Sequence, residues 1–219
     1  MTVKENDIYE FIITEDGDDI EIRAVNPKEV YPKIVVLDAG HGKSDPGSSG
    51  NGITEKDMNL DLVKRIYALL EADPSIKVYA TRLDDSYPTN PQRAAMANRI
   101  ADLFVSVHQN SNNNEKPNGT ETLYMDHNNE KSGNLTSKIA AQFIQNYIVP
   151  ALGTTDRGLK ERPDLIVLNQ TKIPAVLIET LFISNPEDAA KAKNEQTKDA
   201  FAQAVCSAIQ DMFQQYPLR

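Results

Sequence analysis

The sequence predicts an α/β fold, a mainly parallel sheet flanked by helices on both faces, on three observations. Strand-like and helical segments alternate from Lys33 onward. Ile34-Val35-Val36-Leu37 is an uninterrupted apolar run of the kind found in strands buried on both faces. A chain of 219 residues, 40% hydrophobic and 25% charged, is ordinary for a globular protein and long enough for one sizeable core.

The first 32 residues stand apart. Tyr9 to Thr14 and Ile20 to Val25 are β-prone runs on either side of Glu15-Asp16-Gly17-Asp18-Asp19, which reads as an acidic hairpin turn. Pro27 and Pro32 separate this β appendage, residues 1–32, from a second unit, residues 33–219. The strand at Ile34 ends in Asp38-Ala39-Gly40-His41-Gly42 and a Gly/Ser/Pro loop to Gly52. Thr54 then opens a helix, with Asp57 in near-capping-box position and Leu62, Ile66, Leu69 and Leu70 as its apolar face until Pro74.

Lys77 to Arg82 reads as a strand, Pro91 to Ile100 as a helix, Leu103 to His108 and Thr120 to Met125 as strands. An amphipathic helix is expected from Leu135 to Val149, stopping near Pro150. Strands at Leu165 to Leu168 and Ala175 to Glu179 follow. The closing helix carries Phe201, Val205, Ile209 and Phe213 on one face, with Cys206 beside it as inert packing.

Charge and composition exclude several functions. A net charge of -9 repels phosphate backbones, and no Lys/Arg-rich stretch offsets it, so nucleic acid is not an expected partner. No run of about 18 apolar residues is present to span a membrane. The N-terminus, MTVKENDIYEF, lacks the apolar core of a signal peptide. The lone cysteine cannot form an internal disulfide.

Functional residues in such folds gather at the carboxyl ends of the strands. Three strands here end on a ligand or acid: His41, His108 and Glu179, with Glu55 at the mouth of the first helix. A phosphate-binding reading of the loop GHGKS fails, because Leu37 stands where that motif needs glycine and Pro46-Gly47 interrupts the helix start. A serine-hydrolase elbow fails because Asn51 replaces its last glycine. H-E-x-x-H does not occur. Two imidazoles and a carboxylate, His41, Glu55 and His108, instead suit zinc with its fourth position open for water, and Glu179 suits a general base. Spacing alone leaves two alternatives standing: a hydrogen-bonded core histidine at 108, and a helix-dipole carboxylate at 55.

The segment IVVLDAGHGKSDPGSSGNGITEKDMNL resembles the opening signature of the zinc-dependent N-acetylmuramoyl-L-alanine amidases of the family 3 type, which cleave peptidoglycan. Later pieces occur in the same order: Thr81-Arg82, Arg93 to Asn98, ADLFVSVHQN, GTETLY, RGLK and PAVLIETLFISNPED. The likeness runs from Lys33 to Gln215. It implies a mixed six-stranded sheet, one zinc ion per chain on His41, Glu55 and His108, and Glu179 as acid/base. It also implies hydrolysis of the bond between N-acetylmuramic acid and L-alanine. Two positions depart from the family pattern: Gln109, commonly alanine, at the rim of the site, and Leu181, typically glycine, which questions the backbone path there.

Asn110 and Glu121 are further candidates for substrate contact, with Glu121 also a candidate to orient a zinc histidine. Arg82 and Arg93 read as structural hydrogen bonders, His127 as a surface-loop histidine, and the tip Glu15 to Asp19 as a solvated turn. The short polar segment Asp126 to Gly133 leaves no room for an autoinhibitory helix, so an open cleft is expected. The resemblance implies an autolysin-type hydrolase acting outside the cytoplasm on the cell wall, monomeric, with any protein activator unspecified. Its export segment would then have preceded this chain. Two rival functions are a zinc peptidase cutting within the stem peptide, and a catalytically silent wall-binding module.

Overall fold

The computed structural model describes residues 8–127 and 133–217. Residues 128–132, most of the segment expected to leave the cleft open, lie outside that range. The hairpin is present: β1 (Glu10–Asp16) and β2 (Asp19–Val25) pair antiparallel around Gly17, whose φ of 62° suits the turn. It forms a sheet of its own. Its base is tied to the rest of the chain through Glu10, which accepts from Tyr79 Oη at 2.5 Å and sits 3.2 Å from Lys77 Nζ. Phe11, Ile13, Ile20 and Ile22 remain exposed. A short helix, α1 (Pro27–Val30), follows where only a proline-marked break was expected. Asn26 and Glu29 form its capping box, and proline at the first helical position costs no hydrogen bond.

β3 (Ile34–Ala39) is buried at every position, as its apolar run requires. After it come a two-residue ladder, β4 (Ser49–Gly50) with β5 (Ile53–Thr54), and then α2 (Glu55–Glu71). The helix begins where predicted, but Thr54 makes no side-chain cap and no capping box forms. The ladder fixes the helix entry instead. Met58, Leu62, Val63, Ile66 and Leu70 form its buried face.

β6 (Lys77–Ala80), α3 (Asn90–Ile100), β7 (Leu103–Asn110) and β8 (Thr120–Tyr124) stand where the pattern put them. α4 (Ser137–Leu152) tolerates Pro150 in its last turn and stops three residues later, at Gly153 in the left-handed conformation. The next two elements differ from the sequence pattern, one as a strand it did not mark and one as an expectation overturned. Residues 156–161 form β9 (Asp156–Glu161), which carries no strand-like pattern. The expected strand at 165–168 is instead the short helix α5 (Ile166–Asn169). β10 (Ala175–Phe182), α6 (Pro186–Lys193) and α7 (Glu195–Gln215) complete the chain, with Asn185 and Asn194 capping the two helices.

The main sheet has six strands in the order β6-β3-β7-β10-β8-β9. β6, β3, β7 and β10 run parallel, β8 runs antiparallel to β10, and β9 is parallel to β8. One core joins the sheet to α2, α4 and α7, and a second covers the opposite face with α3 and α5. No helix among the described residues is long and apolar enough to cross a membrane. Cys206 lies buried in the first core, where burial pushes its thiol up to about 12. Such a thiol stays protonated and unreactive.

Candidate metal centre and cleft

The parallel strands β3, β7 and β10 lie side by side, so their carboxyl ends converge. His108 on β7 and Glu179 on β10 are direct register partners. His41 comes two residues after β3, in the left-handed region at φ 63°, a conformation that non-glycine residues hold only when their surroundings impose it. Two buried arginines impose it here. Arg82 donates to the carbonyls of Ala39 and Gly40, and Arg93 to those of Ala39 and His41. Arg93 also forms a buried ion pair with Asp38, whose carboxylate accepts from Thr81 and Ser106 as well. Burial alone would raise the Asp38 pKa. Arg93 and the two hydroxyls hold it below the usual carboxylate range.

Glu55 is the first residue of α2 and only 3% exposed. Its Oε2 accepts from the backbone N–H of Ser48, and its Oε1 from that of Gln109. The same Oε1 lies 2.9 Å from His108 Nδ1 and 3.1 Å from His41 Nε2. These three side chains offer ligand atoms within 4.8 Å of one another. Burial opposes ionisation of Glu55, but the two imidazoles outweigh it and hold the carboxyl far below its ordinary range. His41 is turned by Asp45, whose Oδ2 sits 2.9 Å from His41 Nδ1. Burial disfavours charge on His41, yet Glu55 and Asp45 together raise it to about 9.

Two glycines make the approach possible. A Cβ on Gly40 would fall 2.2 Å from the His108 ring, and one on Gly47 would meet Glu55 Oε2 and His41 Cδ2 at 2.7 Å. With Asp45 accepting from Nδ1–H, His41 presents Nε2 toward Glu55 and His108. Two nitrogens and one carboxylate oxygen at such a point are the donors a tetrahedral zinc site with an open position uses. Among the described residues, then, the chain's own ligand chemistry fits such an ion.

Glu179 faces the same cleft, which has a volume of about 410 Å³. Burial pushes its carboxyl up to about 7, with His108 opposing and Glu55 and Glu121 adding to the rise. Its Oε2 is buried without a hydrogen-bond partner among the described residues. A carboxyl held near neutrality can both accept and return a proton at physiological pH.

The other predicted residues fall out as follows. Asn110 lines the cleft and donates to Glu121. Glu121 is the register partner of Glu179 but does not orient a histidine. It accepts from Asn110 and Arg157, whereas Asp45 is the carboxylate that turns His41. Sequence reasoning missed Asp45, although its spacing of four from His41 was the available signal. Gln109 is buried rather than at a rim, and its amide donates to Asn59 beneath the site. Leu181 sits in the core on a β10 register shift. Positive φ among described non-glycine residues occurs at His41, Lys43 and Asn51, so position 181 does not need glycine. His127 is half-buried on Leu168 O.

Comparison with known proteins agrees with this geometry. Residues 35–211 match the family model described as N-acetylmuramoyl-L-alanine amidase. N-acetylmuramoyl-L-alanine amidase LytC of Bacillus subtilis is 39% identical over 176 residues, 80% of this chain and 34% of LytC. YqiI of the same organism is 39% identical over 185 residues, 84% of this chain and 86% of YqiI. The crystal structure of an N-acetylmuramoyl-L-alanine amidase from Clostridium difficile 630 superposes with a TM-score of 0.77 at 32% identity. It covers 83% of this chain and 97% of that one. The chain thus spans about a third of LytC but most of YqiI. With a family match over most of its length, a shared fold and a converged His/Glu/His cluster, the chain belongs to the N-acetylmuramoyl-L-alanine amidase family.

Proposed function

We propose that the protein hydrolyses the amide between N-acetylmuramic acid and the L-alanine of the peptidoglycan stem peptide, with one zinc ion held by His41, Glu55 and His108. The observation that carries this reading is the convergence of those three ligand atoms in one cleft with a buried carboxyl raised to about 7. Family membership supplies the substrate class.

Bound zinc would supply Lewis acidity, polarising the scissile carbonyl and easing deprotonation of water at neutral pH. The rest is the work of this chain. Glu179 takes the proton from the attacking water and returns it to the leaving nitrogen, which departs as the free amine of L-alanine. Asp45 holds His41 in the tautomer that keeps Nε2 available. Arg82 and Arg93 fix the backbone that carries His41. On this reading residues 33–219 are the catalytic unit, residues 1–32 are an appendage docked through Glu10, and the protein acts on the cell wall outside the cytoplasm.

Glu179→Gln tests the assignment. The variant keeps zinc, because its side chain is no ligand, and loses cleavage of purified cell wall. Wild-type digestion by Glu179→Gln would remove the proposed mechanism.

A further inference from the structure

One wall of the cleft is built by the segment where the expected strand gave way to α5. It runs from Arg162 to Val167 and is held at several points. Arg162 N donates to Tyr124 O, Leu165 N to Arg162 O, and Asn169 Nδ2 to Pro163 O. Among the described residues lining the cleft, Arg162 is the only arginine or lysine. Beside it Ile166 is 43% exposed, an apolar side chain of the same wall left facing solvent. The site is otherwise acidic or neutral apart from its histidines. A lone cation beside an apolar contact therefore calls for an explanation.

Arg162 is held in a way that suits exchange. Its Nε and Nη2 donate to the two carboxylate oxygens of Asp164 at 2.8 and 2.7 Å, the fork geometry that guanidinium makes with any carboxylate. The pair is exposed on both sides, with side chains 42% and 60% accessible. Exposed pairs of this kind contribute little, so another carboxylate can replace Asp164 at small cost. Asp164 foremost raises the Arg162 pKa against the opposing effect of burial, the charges of Glu179 and Glu121 add to the rise, and Arg162 lines the same cleft as Glu179.

We propose that Arg162 binds a carboxylate of the substrate's peptide in exchange for Asp164, so that the cleft selects stem peptides bearing a free carboxylate near the scissile amide. The proposal rests on the muramoyl-amide reading of the site and names what that site requires of its peptide. The carboxylate tested is the α-carboxyl of the second residue, about 7 Å of extended chain beyond the amide and free where that residue continues the chain through its side-chain carboxyl. The methyl of the intervening alanine lies against Ile166. Attack and proton transfer are unchanged by this contact, and its effect falls on binding.

The test uses two synthetic muramoyl tripeptides that differ only in whether that α-carboxyl is free or amidated, cleaved by the zinc-loaded protein. The expected result is a KM about two- to fivefold lower for the free acid at similar kcat, the size of one exposed ion pair. Arg162→Ala brings the kcat/KM ratio to about one. Arg162→Lys leaves an intermediate ratio, since a point charge replaces the fork. Asp164→Asn, which frees the guanidinium, widens it. A wild-type ratio near one, or a ratio that survives Arg162→Ala, overturns the assignment. Cleavage of neither peptide by wild-type protein would instead overturn the amidase reading and this assignment with it.

Discussion

Asp45 Oδ2 lies 2.9 Å from His41 Nδ1, four residues away, and this contact decides which imidazole nitrogen turns toward Glu55 and His108. The bridge between Gly42 and Asp45 brings the carboxylate round. Losing such a partner costs about 10- to 100-fold in metal affinity. Asp45→Ala should therefore weaken zinc binding by that factor while leaving the fold intact, as measured by competition with a chromogenic chelator.

Zinc binding should release protons. Without metal, His41 is raised to about 9, so it carries a proton at pH 7.5 and must lose it to become a ligand. The expectation is at least one proton released per zinc bound at pH 7.5, with the share from His41 falling away as the pH passes about 9. Calorimetry in buffers of different ionisation enthalpy measures that number. Binding without proton release at pH 7.5 would mean His41 is neutral in the metal-free protein.

Glu179 should destabilise the metal-free fold at alkaline pH. Its carboxyl is raised from 4.5 to about 7, so below about pH 4.5 it is protonated in folded and unfolded chains alike and costs nothing. Between about pH 4.5 and 7 the unfolded chain ionises this group while the folded protein keeps it protonated, so stability falls across that window and the loss is complete above 7. Above pH 7 the shift from 4.5 to about 7 corresponds to on the order of 3 kcal/mol, from about 1.4 kcal/mol per unit. Chelated Glu179→Gln should thus be more stable than chelated wild type at about pH 8.5, with the gap closing near pH 4.5 in denaturant titrations.

Gly40 has no space for a side chain. A Cβ there would meet Cε1 and Nε2 of the His108 ring at 2.2 Å. The backbone of residue 40 is anchored by Arg82 and by its own N–H on Val107 O, so the ring is what must move. Gly40→Ala should fold yet lose most zinc affinity and activity together, seen as a drop in bound zinc per chain with unchanged far-UV circular dichroism.

How far the sequence reported this structure depends on what kind of residue carries the signal. His41, Glu55, His108 and Glu179 were legible because each sits at an element boundary marked by its own apolar run, and parallel strands bring such boundaries together. β9 was not legible. DRGLKE has no alternation of apolar residues, and it becomes a strand because β8 offers its free edge. Leu165 to Leu168 read as a strand because a four-residue apolar run looks the same in a buried helical turn. Its length could not decide between them. Proline at 150 is tolerated because it stands in a final turn, where little of the helix remains to be disrupted. Glu121 is a candidate to orient a histidine on strand position alone, whereas the contact that turns His41 is local, and loop geometry rather than periodicity creates it.

The most direct test of the account is product analysis of purified peptidoglycan digested by the protein, with and without a chelator. Mass spectrometry should find intact stem peptides with a free L-alanine amino terminus and glycan freed of peptide, abolished by the chelator and restored by zinc. Peptides cut within the stem, or digestion that a chelator leaves untouched, would contradict it.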